Sequence, residues 1–263
     1  MQYHVIDVFT DTLFGGNPAG VCLLDAWLPD DVLQNIAAEN NLSETAFLVK
    51  RENDYDLRWF TPTVEIDLCG HATVASAFVL FEDSEAAEIK FKTMSGMMAV
   101  TKENGLLSLD FPSRPVSPCP MYPTFEKALG VKPIAAYKAA DFLVLLDSVQ
   151  TLQNIRPDFS ILKQIKADAG IADDNFGVIV TAKGHDCDFV SRFFAPNLGI
   201  DEDPVTGRAH CSLIPFWKEK LGKRVMVAQQ LSKRGGKLFC EDRGERVKIG
   251  GNAVRYLRGE IVL

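Results

Sequence analysis

The sequence predicts an α+β fold of two similar lobes, in which each lobe is a curved, mostly antiparallel sheet wrapped around one central helix. Three observations predict this architecture. The two halves of the 263-residue chain share a repeated motif, a proline-rich stretch separates the two copies, and an apolar helical segment follows the motif in each half. Self-similarity at a fixed offset indicates a repeated structural unit.

The repeat is an Arg-aromatic-aromatic-x-Pro motif that occurs twice. Residues 58–62 are RWFTP and residues 192–196 are RFFAP, and Gly70 and Gly207 follow the two copies. The acidic residues Glu65 and Glu202 each stand five positions before these glycines. The alternative is chance similarity between two strand-turn-helix segments, but the matched acid and glycine favour duplication.

The boundary between the lobes is predicted from proline density, because five prolines fall within residues 112–123. Such a stretch excludes a central strand or a helix interior and is typical of a stiff, extended linker. We therefore predict an N-terminal lobe of residues 1–112 and a C-terminal lobe of residues 123–263.

Hydrophobic periodicity predicts the elements of the first lobe. Alternating or β-branched stretches predict strands at residues 3–9, 19–24, 45–49 and 57–60. Residues 30–40 predict a helix capped by Asp30 or Asp31. Residues 72–81 are apolar nearly all round, which predicts a buried helix.

The second lobe repeats this alternation of strands and helices. We expect a strand at residues 142–146, a helix at 158–167 with Phe159, Leu162 and Ile165 inward, and the second central helix at 209–221. Residues 225–263 predict strands only, with glycine turns. The sequence leaves open whether the last strand returns to the sheet of the first lobe.

Bulk properties exclude several classes of function. The net charge of −7 and the absence of a basic run argue against nucleic-acid binding. No stretch approaches the roughly 18 apolar residues of a membrane span. The N-terminus shows no secretory signal, so we expect a cytoplasmic protein whose six cysteines are reduced thiols.

The beginnings of the two central helices are the predicted binding positions. Free N–H groups and a partial positive charge at a helix N-terminus attract carboxylate or phosphate. We therefore expect an anionic small molecule between the lobes, near Gly70 and Gly207. Simple capping of two buried helices is the alternative.

Three titratable residues near these helix ends are candidates for proton transfer. His71 follows Gly70, Asp203 precedes the second helix, and Glu44 stands at the entry of an apolar strand. A carboxylate near a cleft can act as general base and then acid. The alternatives are a packed histidine, a capping aspartate and a surface glutamate. The chain has no Gly-x-Ser-x-Gly, Walker or paired-cysteine motif.

Four ordered motifs then resemble one protein family along nearly the whole chain. They are FGGNPA at residues 14–19, SETAF at 43–47, WFTP with CGHAT at 59–62 and 69–73, and EDPVTG at 202–207. The sequence resembles the phenazine-biosynthesis (PhzF-like) isomerase family. The resemblance implies the diaminopimelate-epimerase fold and a homodimeric enzyme without cofactor or metal.

The resemblance also implies roles for particular residues. Glu44 would move a proton in an isomerisation, with His71 and Asp203 assisting as catalytic residues. Substrate binding would fall to the residues at the two helix beginnings, which are Gly70, Thr206, Gly207 and Arg208. Cys69 occupies the first cysteine position of the epimerases of this fold, but Asp203 occupies the second, so a two-thiol racemase is disfavoured.

Arg208 departs from the family, which usually has serine at this position of the motif. We hypothesise that its guanidinium binds a substrate carboxylate, with pairing to Glu202 or another local acid as an equal alternative. The predicted function is an isomerase of a small anionic metabolite. An epimerase or racemase on the same scaffold and a non-catalytic binding protein are the alternatives.

Overall fold

A computed structural model describes residues 1–263, which divide into two compact units. Unit 1 comprises residues 1–110 and 248–263, and unit 2 comprises residues 111–247. The strands are β1 (Gln2–Val8), β2 (Asn17–Leu24), β3 (Glu44–Lys50), β4 (Tyr55–Phe60), β5 (Glu65–Ile66), β6 (Glu88–Thr93), β7 (Gly96–Glu103), β8 (Leu106–Pro112), β9 (Ser117–Pro118), β10 (Ala135–Lys138), β11 (Phe142–Leu145), β12 (Val178–Lys183), β13 (Phe189–Ala195), β14 (Ile200–Asp203), β15 (Val225–Gln230), β16 (Gly236–Asp242), β17 (Arg246–Gly251) and β18 (Ala253–Glu260).

The helices are short except for one central helix in each unit. They are α1 (Asp30–Asn40), α2 (Gly70–Phe81), α3 (Pro123–Leu129), α4 (Val149–Asn154), α5 (Phe159–Leu162), α6 (Ile165–Asp168) and α7 (Gly207–Leu221), and a 3₁₀ helix spans Pro196–Leu198. None of these helices combines the length and the apolar character needed to cross a bilayer.

The two units have the same strand topology, as the repeat in the sequence predicts. In unit 1, β1 and β2 are antiparallel, β2 and β3 parallel, β3 and β4 antiparallel, and β4 pairs with β5 and β6. In unit 2, strands β10 to β15 repeat these pairings in the same order and directions. The hairpins β6–β7 and β15–β16 complete the correspondence.

The last strand of the chain belongs to unit 1. Strand β18 pairs with β1 in antiparallel fashion from Gln2 opposite Glu260 to Val8 opposite Ala253. The chain ends therefore meet, because the Met1 amino group donates to Ile261 O at 2.9 Å and Ile261 N donates to Met1 O at 3.0 Å.

The sheet of unit 1 lies between α1 and the central helix α2. Alternate residues of β2 and β3, such as Cys22 and Phe47, pack with Leu33 and Ile36 of α1. The residues between them point to the opposite face, where α2 packs against β1, β2 and β3. Helix α2 is buried on nearly all sides, from His71 to Phe81, so its apolar sequence reflects burial rather than amphipathicity.

The repeated arginine and acid form the same contact in both units. Arg58 donates through Nε and Nη2 to the two oxygens of Glu65, at 2.6 and 2.7 Å. Arg192 donates in the same way to Glu202, at 2.7 and 2.9 Å. Each pair ties a long strand, β4 or β13, to the short strand, β5 or β14, that precedes the central helix, which explains why the motif recurs.

Two sequence predictions about helices need correction. Neither Asp30 nor Asp31 caps α1, whose N-cap is Pro29 without a side-chain bond, because Asp30 accepts instead from Arg58 Nη1 at 2.9 Å. The helix predicted at 158–167 is two single turns, α5 and α6, separated where Gln164 N donates to Ile161 O in a tighter i to i+3 contact. Phe159 is half-buried and packs against the core that contains Leu162 and Ile165, so all three face inward as predicted.

Candidate active site

Glu44 begins strand β3 on the face of the sheet that α2 covers. It shares this face with Ala46 and Leu48, because alternate residues of a strand point the same way. The parallel neighbour β2 places Ala19 opposite Glu44. The side chain is nearly buried, with 9% of the residue exposed. The sequence alternative of a surface glutamate is therefore wrong for this residue.

His71 meets Glu44 at the start of α2. It is the second residue of the helix and is buried, and its Nε2 lies 3.1 Å from Glu44 Oε2. A carboxylate and an imidazole are the two side chains that most often transfer protons near neutral pH. The fold therefore brings two of the three predicted catalytic residues into contact within unit 1.

A tight turn before β2 supplies a third residue to this cluster. Gly16 has φ +62°, and a Cβ there would lie 2.1 Å from Val8 O, so only glycine fits. The turn leads into Asn17, whose Nδ2 lies 3.4 Å from His71 Nδ1. An amide donor at Nδ1 leaves the proton of a neutral His71 ring on Nε2, which faces Glu44.

Cys69 is close to the second ring nitrogen of His71. It is the N-cap residue of α2, and its Sγ lies 3.6 Å from His71 Nδ1. Burial raises the pKa of the Cys69 thiol, and the charge of Glu44 adds to this effect. Burial alone would lower the pKa of His71, but its interactions with Cys69 and Glu44 outweigh burial and hold the pKa well above the usual 6.5.

The cluster contains one set of side chains that could hold a metal ion. Glu44, Cys69 and His71 each offer one ligand atom, and these atoms lie within 4.8 Å of one another. All three residues are buried. Oxygen, sulfur and nitrogen donors of this kind are typical ligands of Zn²⁺.

Unit 2 holds Asp203 and Thr206 in a hydrogen-bonded loop before α7. Thr206 donates its hydroxyl to Asp203 Oδ2 in a short contact. Gln230 fixes the loop, since its Nε2 donates to Asp203 O at 2.8 Å and its Oε1 accepts from Thr206 N at 3.0 Å. Thr206 is the N-cap residue of α7 without a side-chain cap bond, because its hydroxyl is directed to Asp203 instead.

Arg208 binds a local acid, which is the alternative left open by the sequence. Its Nε and Nη2 donate to the two oxygens of Asp141, each at 2.9 Å, and Nη1 donates to Asn175 Oδ1 at 2.8 Å. Asp141 also accepts from Gly177 N at 2.8 Å. Glu202, the other acid considered, pairs with Arg192. The structure therefore gives Arg208 a structural partner, and its substrate contact stays a prediction.

The two helix beginnings keep free donors. Gly70 and Gly207 are the first residues of α2 and α7, and neither helix has a side-chain cap bond. A Cβ added to Gly207 would meet no atom within 4 Å. Uncapped N–H groups at a helix beginning can donate to an anion, and anion binding at these positions stays a prediction.

Sequence reasoning assigns no role to three polar residues of these sites, which are Asn17, Asp141 and Gln230. Asn17 lies in the FGGNPA motif, where a polar residue entering a buried apolar strand is a usable signal. Cys69 is singled out by the resemblance, and it directly precedes Gly70. Asp141 and Gln230 carry no local signal, because their partners are 67 and 24 residues away along the chain.

Solved structures define the class of fold. A PhzF family protein of Enterococcus faecalis superposes with a TM-score of 0.94 at 49% sequence identity, covering 100% of this chain and 99% of that chain. A probable proline racemase of Agrobacterium radiobacter superposes with a TM-score of 0.61 at 11% identity, covering 100% and 93%. The duplicated α+β fold is therefore shared with racemases, as the sequence predicted.

Sequence comparison then places the chain within this class. The family model described as phenazine biosynthesis-like protein (PhzC-PhzF) matches residues 6–259. An uncharacterized isomerase of Pseudomonas aeruginosa is 48% identical over 260 residues, which cover 98% of this chain and 97% of the relative. The chain belongs to the phenazine biosynthesis-like family and is an isomerase.

Proposed function

We propose that this isomerase acts without a cofactor on a small, carboxylate-bearing metabolite and that Glu44 transfers the proton. The observation that carries the proposal is the buried Glu44 carboxylate 3.1 Å from His71 Nε2. In the proposed reaction, Glu44 takes a proton from one carbon of the substrate and returns it to another carbon. Such a shift needs an acid/base group but no electron carrier.

His71 would position the carboxylate of Glu44 for proton transfer. His71 Nε2 lies 3.1 Å from Glu44 Oε2, and Asn17 Nδ2 lies 3.4 Å from His71 Nδ1, so Asn17 would help to hold the ring beside the carboxylate. When Glu44 takes up the substrate proton, the imidazole of His71 can release or accept a proton of its own. His71 is thus proposed as the second catalytic residue.

The proposed carboxylate of the substrate follows from the helix beginnings. Helices α2 and α7 both start at a glycine and lack side-chain caps, so their first N–H groups can donate to an anion. Gly70, Thr206 and Gly207 remain the predicted binding residues, and Asp203 the third predicted catalytic residue. The hydrogen bonds from Thr206 would keep Asp203 in one orientation.

Solvent deuterium incorporation tests the role of Glu44 even while the substrate is unidentified. Pooled small carboxylates are incubated in D₂O with the protein, and mass spectrometry identifies any compound that gains one deuterium. We expect Glu44→Gln to abolish this gain, because the amide cannot accept the proton. Glu39→Gln, the same change at an exposed position of α1, should leave it intact.

Far-UV circular dichroism and the melting temperature show whether each variant is folded. Deuterium gain at the original rate in folded Glu44→Gln would falsify the assignment of Glu44.

A thiol-based epimerisation is the second candidate, since Cys69 Sγ lies 3.6 Å from His71 Nδ1. The raised pKa of the buried thiol weighs against it, because the thiolate is the reactive form. Cys69→Ser separates the candidates: the Glu44 mechanism predicts that deuterium gain persists, and the thiol mechanism predicts that it is lost.

A further inference from the structure

A cavity of about 300 Å³ lies at the end of α2, within unit 1. The last turn of α2 lines it together with the loop after β1, the β7–β8 hairpin and the start of β18. The cavity begins at Phe78, which follows His71 by about 10 Å along the helix axis, at a rise of about 1.5 Å per residue. It is therefore a different place from the cluster around Glu44, and its volume suits a small ligand.

Part of the cavity lining is apolar. Phe81 and Leu107 are buried, and Phe78 is half-buried. The Nζ atom of Lys102 lies 5.4 Å from the centroid of the Phe81 ring. An apolar group in contact with these phenyl rings would therefore have an ammonium group beside it.

Two charged residues that line the cavity have no ion-pair partner, and these are Asp11 and Lys102. Glu82 is the third charged residue of the lining, and it forms a short ion pair with Arg255. Since Arg255 balances the charge of Glu82, the cavity offers one unpaired negative charge and one unpaired positive charge beside an apolar surface.

This charge pattern selects among small ligands. A simple anion would bind to Lys102 but would be repelled by Asp11, and a simple cation would be repelled by Lys102. A zwitterion matches both residues, because its carboxylate accepts from Lys102 Nζ and its ammonium group donates to the Asp11 carboxylate. An α-amino acid with an apolar side chain is a zwitterion that also covers the phenyl rings.

We propose that this cavity binds a free α-amino acid with an apolar side chain. Lys102 binds its carboxylate, Asp11 binds its ammonium group, and Phe78 and Phe81 contact its side chain. The proposal does not rest on the function proposed for Glu44, since the cavity and the cluster of Glu44, Cys69 and His71 share no residue.

Isothermal titration of the full chain with L-phenylalanine and L-leucine tests the proposal. We expect both amino acids to bind at one site per chain. Two matched compounds keep the phenyl ring and lose one charge: phenylpropionate lacks the ammonium group, and phenethylamine lacks the carboxylate. Each should bind at least about tenfold more weakly than L-phenylalanine, because each loses a hydrogen bond between charged groups.

Substitution of the two unpaired charges locates the binding site. Lys102→Met and Asp11→Asn should each weaken the binding of L-phenylalanine at least about tenfold. Lys92→Met, at an exposed lysine of the adjacent strand β6, is the matched control and should bind as the unaltered chain does. All three residues are exposed, so the variants should fold, which far-UV circular dichroism and the melting temperature check.

Failure of both amino acids to bind, or unchanged affinity in folded Lys102→Met and Asp11→Asn, would overturn the proposal. The second result is also the one expected if the amino acid binds at the beginnings of α2 and α7 instead. Equal affinities for L-phenylalanine and phenylpropionate would overturn the selection of a zwitterion. None of these results bears on deuterium gain in Glu44→Gln, which tests the proposed function separately.

Discussion

At the scale of single residues, His71 is the side chain whose charge the fold controls most strongly. Its ring contacts Glu44 through one nitrogen and Cys69 and Asn17 through the other. Its folded-state pKa is raised well above 6.5. A raised pKa means that the folded chain holds a proton that the unfolded chain has lost, so stability falls as pH rises through this range.

The pH dependence of stability therefore tests the state of His71. Its contribution should be fully present below pH 6.5 and should decline above that value toward the raised pKa, by at most about 1.4 kcal/mol per pH unit. Urea unfolding of the native chain and of His71→Gln should give a difference that shrinks between pH 6.5 and 8.0, below the pKa of about 8.5 at which thiols of the unfolded chain titrate. A constant difference across this window would show that His71 is neutral.

The other buried histidine of a central helix shows that position, rather than residue type, determines charge. His210 stands in α7 where Thr73 stands in α2. Each donates to the carbonyl oxygen of the N-cap residue, His210 Nδ1 to Thr206 O at 2.7 Å and Thr73 Oγ1 to Cys69 O at 2.5 Å. With no acid beside it, burial lowers the pKa of His210 to about 4. The sequence distinguishes His71 from His210 only through the motif around Gly70.

At the scale of elements, the two Arg–Glu pairs are the strongest link between sequence and fold. Both join a long strand to the short strand that precedes a central helix. In both, the guanidinium also lies over an aromatic ring, Phe60 or Phe194. Arg192 additionally donates to Leu152 O and Ile155 O at the end of α4. The second pair is also less exposed, with side-chain exposures of 10% and 20% against 22% and 24%.

Arg192→Met should accordingly destabilise the protein by about 3–5 kcal/mol, because it leaves a mostly buried carboxylate and two carbonyls without donors. Arg58→Met should cost less. Arg51→Met removes an exposed pair with Asp56 and should cost about 0–1 kcal/mol. Urea unfolding measures all three variants, and adding Glu202→Leu to Arg192→Met should recover part of the loss. Equal effects of Arg192→Met and Arg51→Met would contradict this role.

Elements with a strong local pattern are predictable from the sequence, and those shaped by distant contacts are not. The periodicity of residues 30–40 matches α1, and the apolar run at 72–81 lies within α2. The predicted cap of α1 is wrong because the Asp30 carboxylate accepts a hydrogen bond from Arg58 instead. The predicted helix at 158–167 is wrong because the spacing of Leu162 and Ile165 fits either a continuous helix or two turns that pack separately.

At the scale of the whole molecule, the duplicated units have diverged at matched positions. The residue after the first glycine of the central helix is His71 in unit 1 and Arg208 in unit 2. His71 meets an acid and a thiol within hydrogen-bonding range, whereas Arg208 is held in a two-bond pair with Asp141. The two units therefore share one strand topology, and unit 1 carries the acid–imidazole pair. The sequence shows this divergence as the unexpected arginine, but not its partner, which lies 67 residues away.

Unit 1 consists of two separate stretches of the chain, residues 1–110 and 248–263. Joining them tests whether unit 1 can fold alone. Residues 1–110 alone lack β18, so the outer edge of β1 would expose seven residues that β18 normally pairs. An unpaired edge of this kind promotes aggregation. Since Met1 and Ile261 are hydrogen-bonded to each other, a linker of about four residues, spanning up to about 14 Å, can join Leu263 to Met1.

The rearranged chain, with residues 248–263 placed before the linker and residues 1–110, should therefore be monomeric and unfold cooperatively, whereas residues 1–110 should aggregate. Size-exclusion chromatography and thermal unfolding by circular dichroism measure both properties. The control is the rearranged chain that carries both Leu257→Pro and Arg258→Pro, at two adjacent exposed residues of β18. Because alternate N–H groups face the partner strand, one of the two prolines must remove a bond to β1. If this control unfolds as cooperatively as the parent, pairing with β18 is not what completes unit 1.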